Sequence, residues 1–158
     1  MAQKKKKTDQ SKTVINRRAR FDYELGDEII AGIVLTGPET RAARDGHVQL
    51  KGAFVTIRNE ELWLNNASFS LKLQQRGQPS ARSVDTSPRK LLANRKQIDE
   101  LTAKKQAGMT IVPTKLITAG KFIKVVIALG KGKKNYDKRE TIKRREQDRE
   151  TSRALKRL

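Results

Sequence analysis

Residues 110–129 read TIVPTKLITAGKFIKVVIAL and carry the clearest strand signal in the chain. β-Branched and other apolar residues dominate 110–117 and 121–129, and Thr118-Ala-Gly120 separates the two runs. Two such runs joined by a glycine-containing turn are typical of a β-hairpin. Because proline has no amide proton to donate, Pro113 indicates that the first strand lies near a sheet edge or contains a bulge.

Further strand signals lie on the N-terminal side of this hairpin. The segments 21–35, 48–50, 53–58 and 61–64 combine alternation with apolar or β-branched runs, which favours strands. About six strands with helices inserted between them predict a mainly β protein, an oligonucleotide-binding-type small β-barrel, because closure removes most edges of a small sheet. A ferredoxin-like sandwich is the alternative.

Helices and one loop are predicted between the strands. Residues 36–46 predict a short helix with Gly46 beyond its end. Residues 86–108 predict a second helical segment, which Asn94 divides into two helices if it caps a new turn. Residues 72–88 are rich in Gly, Pro, Ser, Gln and Arg, a composition that predicts a long exposed loop.

The charge of the chain is concentrated at its ends. The 158 residues include 36 Lys or Arg and 17 Asp or Glu, which gives a formal net charge of +19. Residues 1–20 hold eight basic and one acidic residue, and residues 131–158 hold twelve and five. We therefore predict a basic N-terminal arm over 1–15, an RNA-binding β-barrel domain over 16–130 and a basic C-terminal tail over 131–158.

The C-terminal tail combines good helix formers and opposed charges at helical spacing with too few apolar residues to bury a face. We predict that it is disordered alone and helical when bound to phosphate groups. Fully helical, it would reach on the order of 40 Å. A plain solubilising tail is the alternative.

Composition argues against several classes of protein. The chain has no Cys and one His, 35% of its residues are hydrophobic, and no apolar run approaches a bilayer span. We therefore predict no disulfides, no metal, no cofactor, no membrane partner, no enzymatic activity and a cytoplasmic location. A large positive charge attracts polyanions, because neutralising phosphates releases condensed counterions, so a nucleic acid is the expected partner.

Two groups of arginines suit contacts to phosphates. In Asn16-Arg-Arg-Ala-Arg20 the guanidiniums can fork onto phosphates and the amide can add a base or backbone hydrogen bond, with a solvated arm as the alternative. Arg41 and Arg44 share one face of the predicted helix. For them, surface ion pairs with Glu39 and Asp45 are the alternative.

Aromatic side chains are few, since the whole chain has seven. We expect Trp63 and Phe54 to pack inward, which leaves a thin platform for base stacking. Contacts to RNA should therefore depend mainly on Arg and Lys.

Five blocks of sequence, in order over residues 16–145, resemble the small protein B family of SsrA-binding proteins. The blocks are Asn16-Arg-Arg-Ala-Arg-Phe-Asp-Tyr23, Ala31-Gly-Ile-Val-Leu-Thr-Gly37, Glu39-x-Arg-x-x-Arg-x-Gly46, Arg89-Lys-Leu-Leu92, and Gly132-Lys-Lys-Asn-Tyr-Asp-Lys-Arg-Glu140 with Ile142-Lys143.

The resemblance implies a protein that binds the tRNA-like domain of transfer-messenger RNA and delivers it to stalled ribosomes for trans-translation. Its tail would occupy the vacant mRNA channel and the decoding centre of the small-subunit rRNA. Elongation factor Tu is the further partner expected in the delivery complex. The alternative is a structural ribosomal or general RNA-packaging protein that uses basic tails.

The resemblance also implies two sets of site residues. The set expected to face RNA is Asn16, Arg18, Arg20, Arg41, Arg44, Arg89, Lys90, Asn94 and Lys124. The set expected at the ribosomal decoding centre is Gly132, Lys133, Lys134, Tyr136, Asp137, Lys138, Arg139, Lys143 and Arg145. Tyr136 should stack on an rRNA base, because a flat ring flanked by cations is a good stacking group.

Three positions depart from the family pattern. Ile30 stands where the family usually has an acidic residue before Ala-Gly, so either Glu28 substitutes for it or that contact is missing. Gln147 replaces a Trp of the family tail, and Arg41-Ala42 replaces a Lys-Ser pair.

Overall fold

The computed structural model describes residues 13–72, 81–105 and 108–155. In these ranges lie β1 (Val14–Ile15), α1 (Arg17–Asp22), β2 (Tyr23–Ile33), α2 (Gly37–Arg44), β3 (Val48–Gln49), β4 (Phe54–Arg58), β5 (Glu61–Asn65), β6 (Ser68–Lys72), β7 (Arg82–Asp85), β8 (Arg89–Leu92), α3 (Arg95–Lys104), β9 (Met109–Ile117), β10 (Lys124–Gly132) and α4 (Asn135–Leu155). Among them the structure has no helix that is both long enough and apolar enough to cross a membrane.

Six strands in the described ranges close into an antiparallel barrel. Around the ring they follow the order β9, β10, β2, β8, β5 and β4, and Val55 of β4 pairs with Ile111 of β9 to close it. The short β1 pairs with the outer part of β9, and β3, β6 and β7 form a separate small sheet. The mainly β, oligonucleotide-binding-type barrel is thus confirmed, and the ferredoxin-like sandwich is not formed.

The predicted hairpin is formed by β9 and β10. Val126 opposes Lys115 whereas Ile127 opposes Pro113, so Thr114 is the extra residue of a β-bulge. Of the two possibilities that Pro113 indicated, a sheet edge or a bulge, the bulge is present. It accommodates a residue that cannot donate a backbone hydrogen bond within a strand that has neighbours on both sides.

The barrel interior is filled by aliphatic side chains from alternate strand positions. Those with 0% exposure include Leu62, Leu64, Ile111, Leu116, Val125 and Ile127. Ala43 of α2, Phe69 of β6 and Leu101 of α3 belong to the same buried cluster. The helices and the small sheet therefore share one core with the barrel.

The prediction of a helix over residues 86–108 is wrong in its first part. Arg89–Leu92 is strand β8, inserted between β2 and β5, and the helix α3 begins only at Arg95. Asn94 does cap this helix, and its backbone N–H donates to Oε1 of Gln97 in a capping box. The local sequence of this segment favours a helix. It is extended instead because it pairs with β2 on one side and β5 on the other.

Two other segments also differ from the prediction. Residues 17–22 form helix α1, which was not predicted and whose last two residues fall in the predicted strand segment 21–35. Part of the predicted 72–88 loop, Arg82–Asp85, is strand β7 paired with β6. Residues 73–80 of that loop and 1–12 of the arm lie outside the described residues. At the other end, β10 continues to Gly132, two residues beyond the predicted limit of the barrel domain.

The barrel closes where β4 pairs with β9, so shortening a buried side chain at this pairing should lower the stability of the fold strongly. Ile111→Ala should lower the free energy of unfolding by about 2–5 kcal/mol, because it removes a fully buried side chain and leaves a cavity. Urea denaturation measures the effect. The matched control is Ile15→Ala on the adjacent edge strand, where the side chain is 55% exposed and the loss should stay within about 0.5 kcal/mol. Equal losses for both would contradict this account.

Candidate nucleic-acid interface

The side chain of Asn16 has a structural role, because it bonds to backbone groups of the barrel and of α1. Its side chain is 5% exposed, and its Nδ2 donates to the carbonyl oxygens of Leu50 at 3.0 Å and Pro113 at 2.8 Å. Its Oδ1 accepts from the backbone N–H of Ala19 and caps α1. Because both amide protons are used, Asn16 orients the arginines of α1 and has no donor left for a base.

The guanidiniums of α1 project from this fixed start. Arg18 donates to Oδ2 of Asp22 at 2.8 Å, and its Cζ lies 5.5 Å from the centroid of the Phe21 ring. Arg20 is 66% exposed, and its nearest carboxylate oxygen, Oε1 of Glu28, is 4.0 Å away. Arg20 is therefore the better placed of the two to receive a phosphate.

Arg89 lies beneath the surface. Its side chain is 4% exposed, and its Nε donates to Oε1 of Glu39 at 2.9 Å while its Nη2 approaches Oδ2 of Asp85 at 3.1 Å. Its Cζ also sits 4.0 Å from the centroid of the Phe69 ring. With its donors committed to these partners, Arg89 positions neighbouring elements and presents no guanidinium to a phosphate.

Helix α2 is tied to this buried group. Glu39 is 7% exposed, and its Oε2 accepts from the backbone N–H of Thr36 at 2.7 Å in a capping box, while its Oε1 receives Arg89. Capping of α2 is thus half of the role of Glu39. The other half joins α2 to β8 across 50 residues of chain.

The opposite side of α2 presents Arg41 and Arg44, both exposed. The alternative in which they pair with Glu39 or Asp45 is absent among the described residues. Instead, Nη2 of Arg44 donates to the carbonyl oxygens of Gly120 and Lys121, each at 3.2 Å. Arg44 therefore attaches α2 to the tip of the β9–β10 hairpin.

The neighbouring strands β10, β2 and β8 form a further part of the outer surface of the barrel. Lys124 of β10 opposes Gly32 of β2, and Gly32 opposes Leu92 of β8, so their side chains share the outer side of the sheet. Ile30 lies two residues before Gly32 in β2, and Lys90 lies two residues before Leu92 in β8. Both side chains are therefore on the same outer side. We call the outer surface formed by Ile30, Lys90, Leu92 and Lys124 the β2 face.

The β2 face includes an open cleft. Ile30, Lys90 and Leu92 line it together with Asn94, and its volume is about 390 Å³. Ile30 and Leu92 are 55% and 53% exposed, while Nζ of Lys90 contacts Oε1 of Glu61 at 2.5 Å. The structure therefore brings Lys90 and Asn94 together at one cleft that Ile30 also lines, and it places Lys124 on the same outer side of the sheet.

Glu28 lies on the same side of β2 as Ile30, one side-chain repeat further from the hairpin tip. Its Oε2 is 3.4 Å from Nζ of Lys115 and its Oε1 is 4.0 Å from Arg20. A carboxylate is thus present close to the position where the family usually has one, but displaced by about 7 Å along the strand.

The C-terminal segment leaves the barrel at a defined point, which we call the tail junction: Asp22, Lys133 and Lys138. The backbone N–H of Lys133 donates to the carbonyl oxygen of Asp22 at 2.9 Å, and Nζ of Lys133 donates to that of Arg20 at 3.0 Å. Nζ of Lys138 lies 3.2 Å from Oδ1 of Asp22. The start of α4 is therefore bound to the end of α1.

Asp22 joins both helices electrostatically. Partial burial acts to raise its pKa, but hydrogen bonds from Arg18 and Lys138, with the charges of both groups, lower the pKa below its ordinary value. The carboxylate consequently stays ionised over a wider pH range than a solvated aspartate. The sequence gives little sign of this role, because Lys138 is 116 positions from Asp22 along the chain.

Helix α4 extends from the tail junction for 21 residues, about 31 Å at the usual helical rise. Within the described part of the chain, none of its residues is buried. Tyr136 is 62% exposed and Nζ of Lys134 lies 6.0 Å from its ring centroid. The predicted helix in the tail is confirmed, whereas its disorder without a partner stays a prediction.

The remaining residues of the second predicted set follow the same pattern. Arg139, Lys143 and Arg145 are exposed along α4, and the Asp137 carbonyl oxygen accepts from the hydroxyl of Thr141. Gly132 ends β10 opposite Tyr23. This set is therefore contiguous along one helix and its root, separate from the β2 face.

Aromatic residues are distributed differently from expectation. Phe54 is 38% exposed and Trp63 is half-buried, so the inward packing predicted for Phe54 is wrong, and Phe69 is the aromatic with 0% exposure. Sequence reasoning also passed over Phe122, which is 67% exposed beside Lys121. A lone Phe between Lys and Ile in a strand-like run gave no signal to distinguish it from a core residue.

The tail junction predicts a pH-dependent anchor. Asp22→Asn should speed hydrogen exchange in the first turns of α4 by about two- to fivefold at neutral pH, because the ion pair to Lys138 is lost. In the unmodified chain a lowered carboxylate pKa gives full stabilisation above about pH 5, and the stabilisation falls as pH drops through the lowered pKa.

Hydrogen exchange by mass spectrometry measures both effects. Glu28→Gln is the matched control, because it removes a paired carboxylate that does not contact α4. Unchanged exchange in Asp22→Asn would mean that the ion pair does not hold the helix.

Comparisons with known proteins agree with this arrangement. The sequence model of the family described as SmpB protein matches residues 13–157. The chain is 45% identical over 142 residues to an SsrA-binding protein of Shouchella clausii, with 89% of each chain covered, and 40% identical over 152 residues to one of Lactococcus lactis subsp. lactis, with 96% of each covered. A third, of Levilactobacillus brevis, is 42% identical over 161 residues and covers 99% of each chain.

One similar solved structure is described as "tmRNA-SmpB: a journey to the center of the bacterial ribosome". It superimposes with a TM-score of 0.62 at 35% identity, over 78% of this chain and 85% of that one. Both sequence and fold therefore match the same kind of protein.

Proposed function

Because the chain belongs to the SmpB protein family, we propose that it binds the tRNA-like domain of transfer-messenger RNA and delivers it to stalled ribosomes for trans-translation. One observation carries the proposal: the barrel holds one cationic surface, and a second lies on a helix that has no fully buried residue among those the structure describes. Such a division suits a protein that must hold one RNA while probing another.

The barrel surface is assigned to transfer-messenger RNA. Arg20, Arg41, Arg44, Lys90 and Lys124 offer charged donors from four different elements, which fits the irregular backbone of a folded RNA better than the regular groove of a duplex. Asn16 and Arg89 support this surface from inside through their buried contacts.

The C-terminal helix is assigned to the ribosome. A stiff rod of about 31 Å with exposed Lys and Arg can follow an rRNA-lined channel that lacks mRNA. Tyr136 at its root would stack on an rRNA base, and the tail junction would set the angle at which the rod leaves the barrel.

The same proposal covers the broader setting. The chain would act in the cytoplasm as a binding protein that catalyses no reaction, with elongation factor Tu as a further member of the delivery complex. The structural or packaging alternative is weaker, because a protein that only neutralises phosphate needs neither a built cleft nor a fixed exit for its tail.

Competition binding separates the proposal from this alternative. The full chain and a chain ending at Lys134, which preserves β10 and the Lys133 contacts, are compared on tRNA-like-domain RNA, tRNA and random duplex of equal length at fixed salt. We expect preference for the tRNA-like RNA in both chains. Equal binding to all three, lost with the helix, would identify a polyelectrolyte binder and overturn the proposal.

Tyr136 provides a test on the ribosome. Tyr136→Ala should leave the affinity for tRNA-like-domain RNA unchanged but reduce peptide tagging on stalled ribosomes about five- to a hundredfold, because loss of a stacked base costs roughly 1–3 kcal/mol. Tyr136→Phe keeps the ring and should retain tagging. Normal tagging by the alanine variant in a reconstituted assay would remove the stacking role.

A further inference from the structure

Phe122 stands at the tip of the β9–β10 hairpin with 67% of its surface exposed. Its neighbour Ile123 is 6% exposed and belongs to the buried core cluster. Since Ile123 is drawn inward, Phe122 is held on the outside of the same turn. A single exposed apolar residue is ordinary on a protein surface, so exposure alone gives it no role.

The hairpin tip is, however, held in place from several directions. Arg44 of α2 donates to the carbonyl oxygens of Gly120 and Lys121, and Gly120 has a φ of +80°, a conformation in which a side chain would be strained. With Ile123 anchored in the core, the backbone on both sides of Phe122 is fixed. The backbone that carries the ring is therefore preorganised, which lowers the backbone entropy lost when something binds to it.

One cation lies beside the same ring, and two others are exposed on the neighbouring strand and helix. Nζ of Lys121 lies 5.5 Å from the Phe122 ring centroid, and Lys124 begins β10 two residues later with its side chain exposed. Arg41 is exposed on the helix that Arg44 attaches to this tip. A flat aromatic face with positive charge around it matches a nucleobase flanked by its phosphates.

We propose that Phe122 stacks on an unpaired base of the bound RNA while Lys121 and Lys124 contact the adjoining phosphates. The base must be unpaired, because bases within a duplex are already stacked on both faces. The hairpin tip would then recognise a loop or bulge and set the register of the RNA on the β2 face, which starts at Lys124. This inference rests on the proposed function, since it assumes that the barrel binds folded RNA.

The test uses the full chain with Phe122→Ala, Phe122→Leu and Phe122→Trp. With tRNA-like-domain RNA at fixed salt, the Ala and Leu variants should bind about five- to a hundredfold more weakly, and the Trp variant should bind at least as well as Phe. The slope of log affinity against log salt should be unchanged in all three, because no phosphate contact is lost, whereas Lys121→Ala should reduce that slope by about 0.7–0.9.

Two further measurements separate base stacking from a general loss of apolar surface. Val84→Ala, at a residue also 67% exposed but on β7, is the control for removing surface apolar area and should leave affinity unchanged. In the Trp variant, emission above the Trp63 background should be quenched by the RNA, as expected for a stacked indole.

The outcomes distinguish this inference from the proposed function. If the unmodified chain prefers tRNA-like RNA and Phe122→Ala binds it equally well, the stacking role is overturned while the function stands. If Leu preserves affinity, the contact is apolar rather than stacked and the inference fails. If Phe122→Ala loses binding to anionic vesicles but not to RNA, the tip is a membrane contact. If the chain binds none of the RNAs, both proposals fail.

Discussion

The guanidinium of Arg89 lies buried between the carboxylates of Glu39 and Asp85 and over the ring of Phe69, and the geometry of the surface proposed to bind RNA depends on it. Removing one partner of such a buried pair leaves an uncompensated charge, typically at a cost of about 3–5 kcal/mol. The contact therefore holds α2 against β8. That placement aims Arg44 at the hairpin tip, so a buried ion pair determines how exposed cations are arranged.

A chain with a net charge of +19 must also prevent its cations from repelling one another. Carboxylates do this selectively: Asp22 lies between Arg18 and Lys138, and Glu28 lies between Arg20 and Lys115. Both acids occur along the α1–β2 segment, where the barrel and the C-terminal helix meet. Acidic residues are thus used to fix geometry, while Arg41, Lys124 and the length of α4 remain available to polyanions.

Local sequence and tertiary structure disagree most clearly in two places. Pro88 and the run of good helix formers after it predict a helix over Arg89–Leu92, yet this segment is a strand because β2 and β5 need a partner between them. The basic segment that begins at Asn16 predicts an RNA contact there, yet the Asn16 amide bonds to the carbonyl oxygens of Leu50 and Pro113. In both cases the partners are distant in sequence, and no local pattern records them.

The sequence by itself determined the features that arise from composition and short-range order: a basic, mainly β chain, the β9–β10 hairpin with an edge or bulge near Pro113, the capped helix α2, and a helical tail too polar to bury. These follow from propensity, periodicity and charge, which act between near neighbours. Only the tertiary structure decided which charged groups are available. Burial removes Arg89 and Asn16 from the surface and alternation at Ile123 exposes Phe122, because side-chain accessibility depends on which distant strands and helices close over each position.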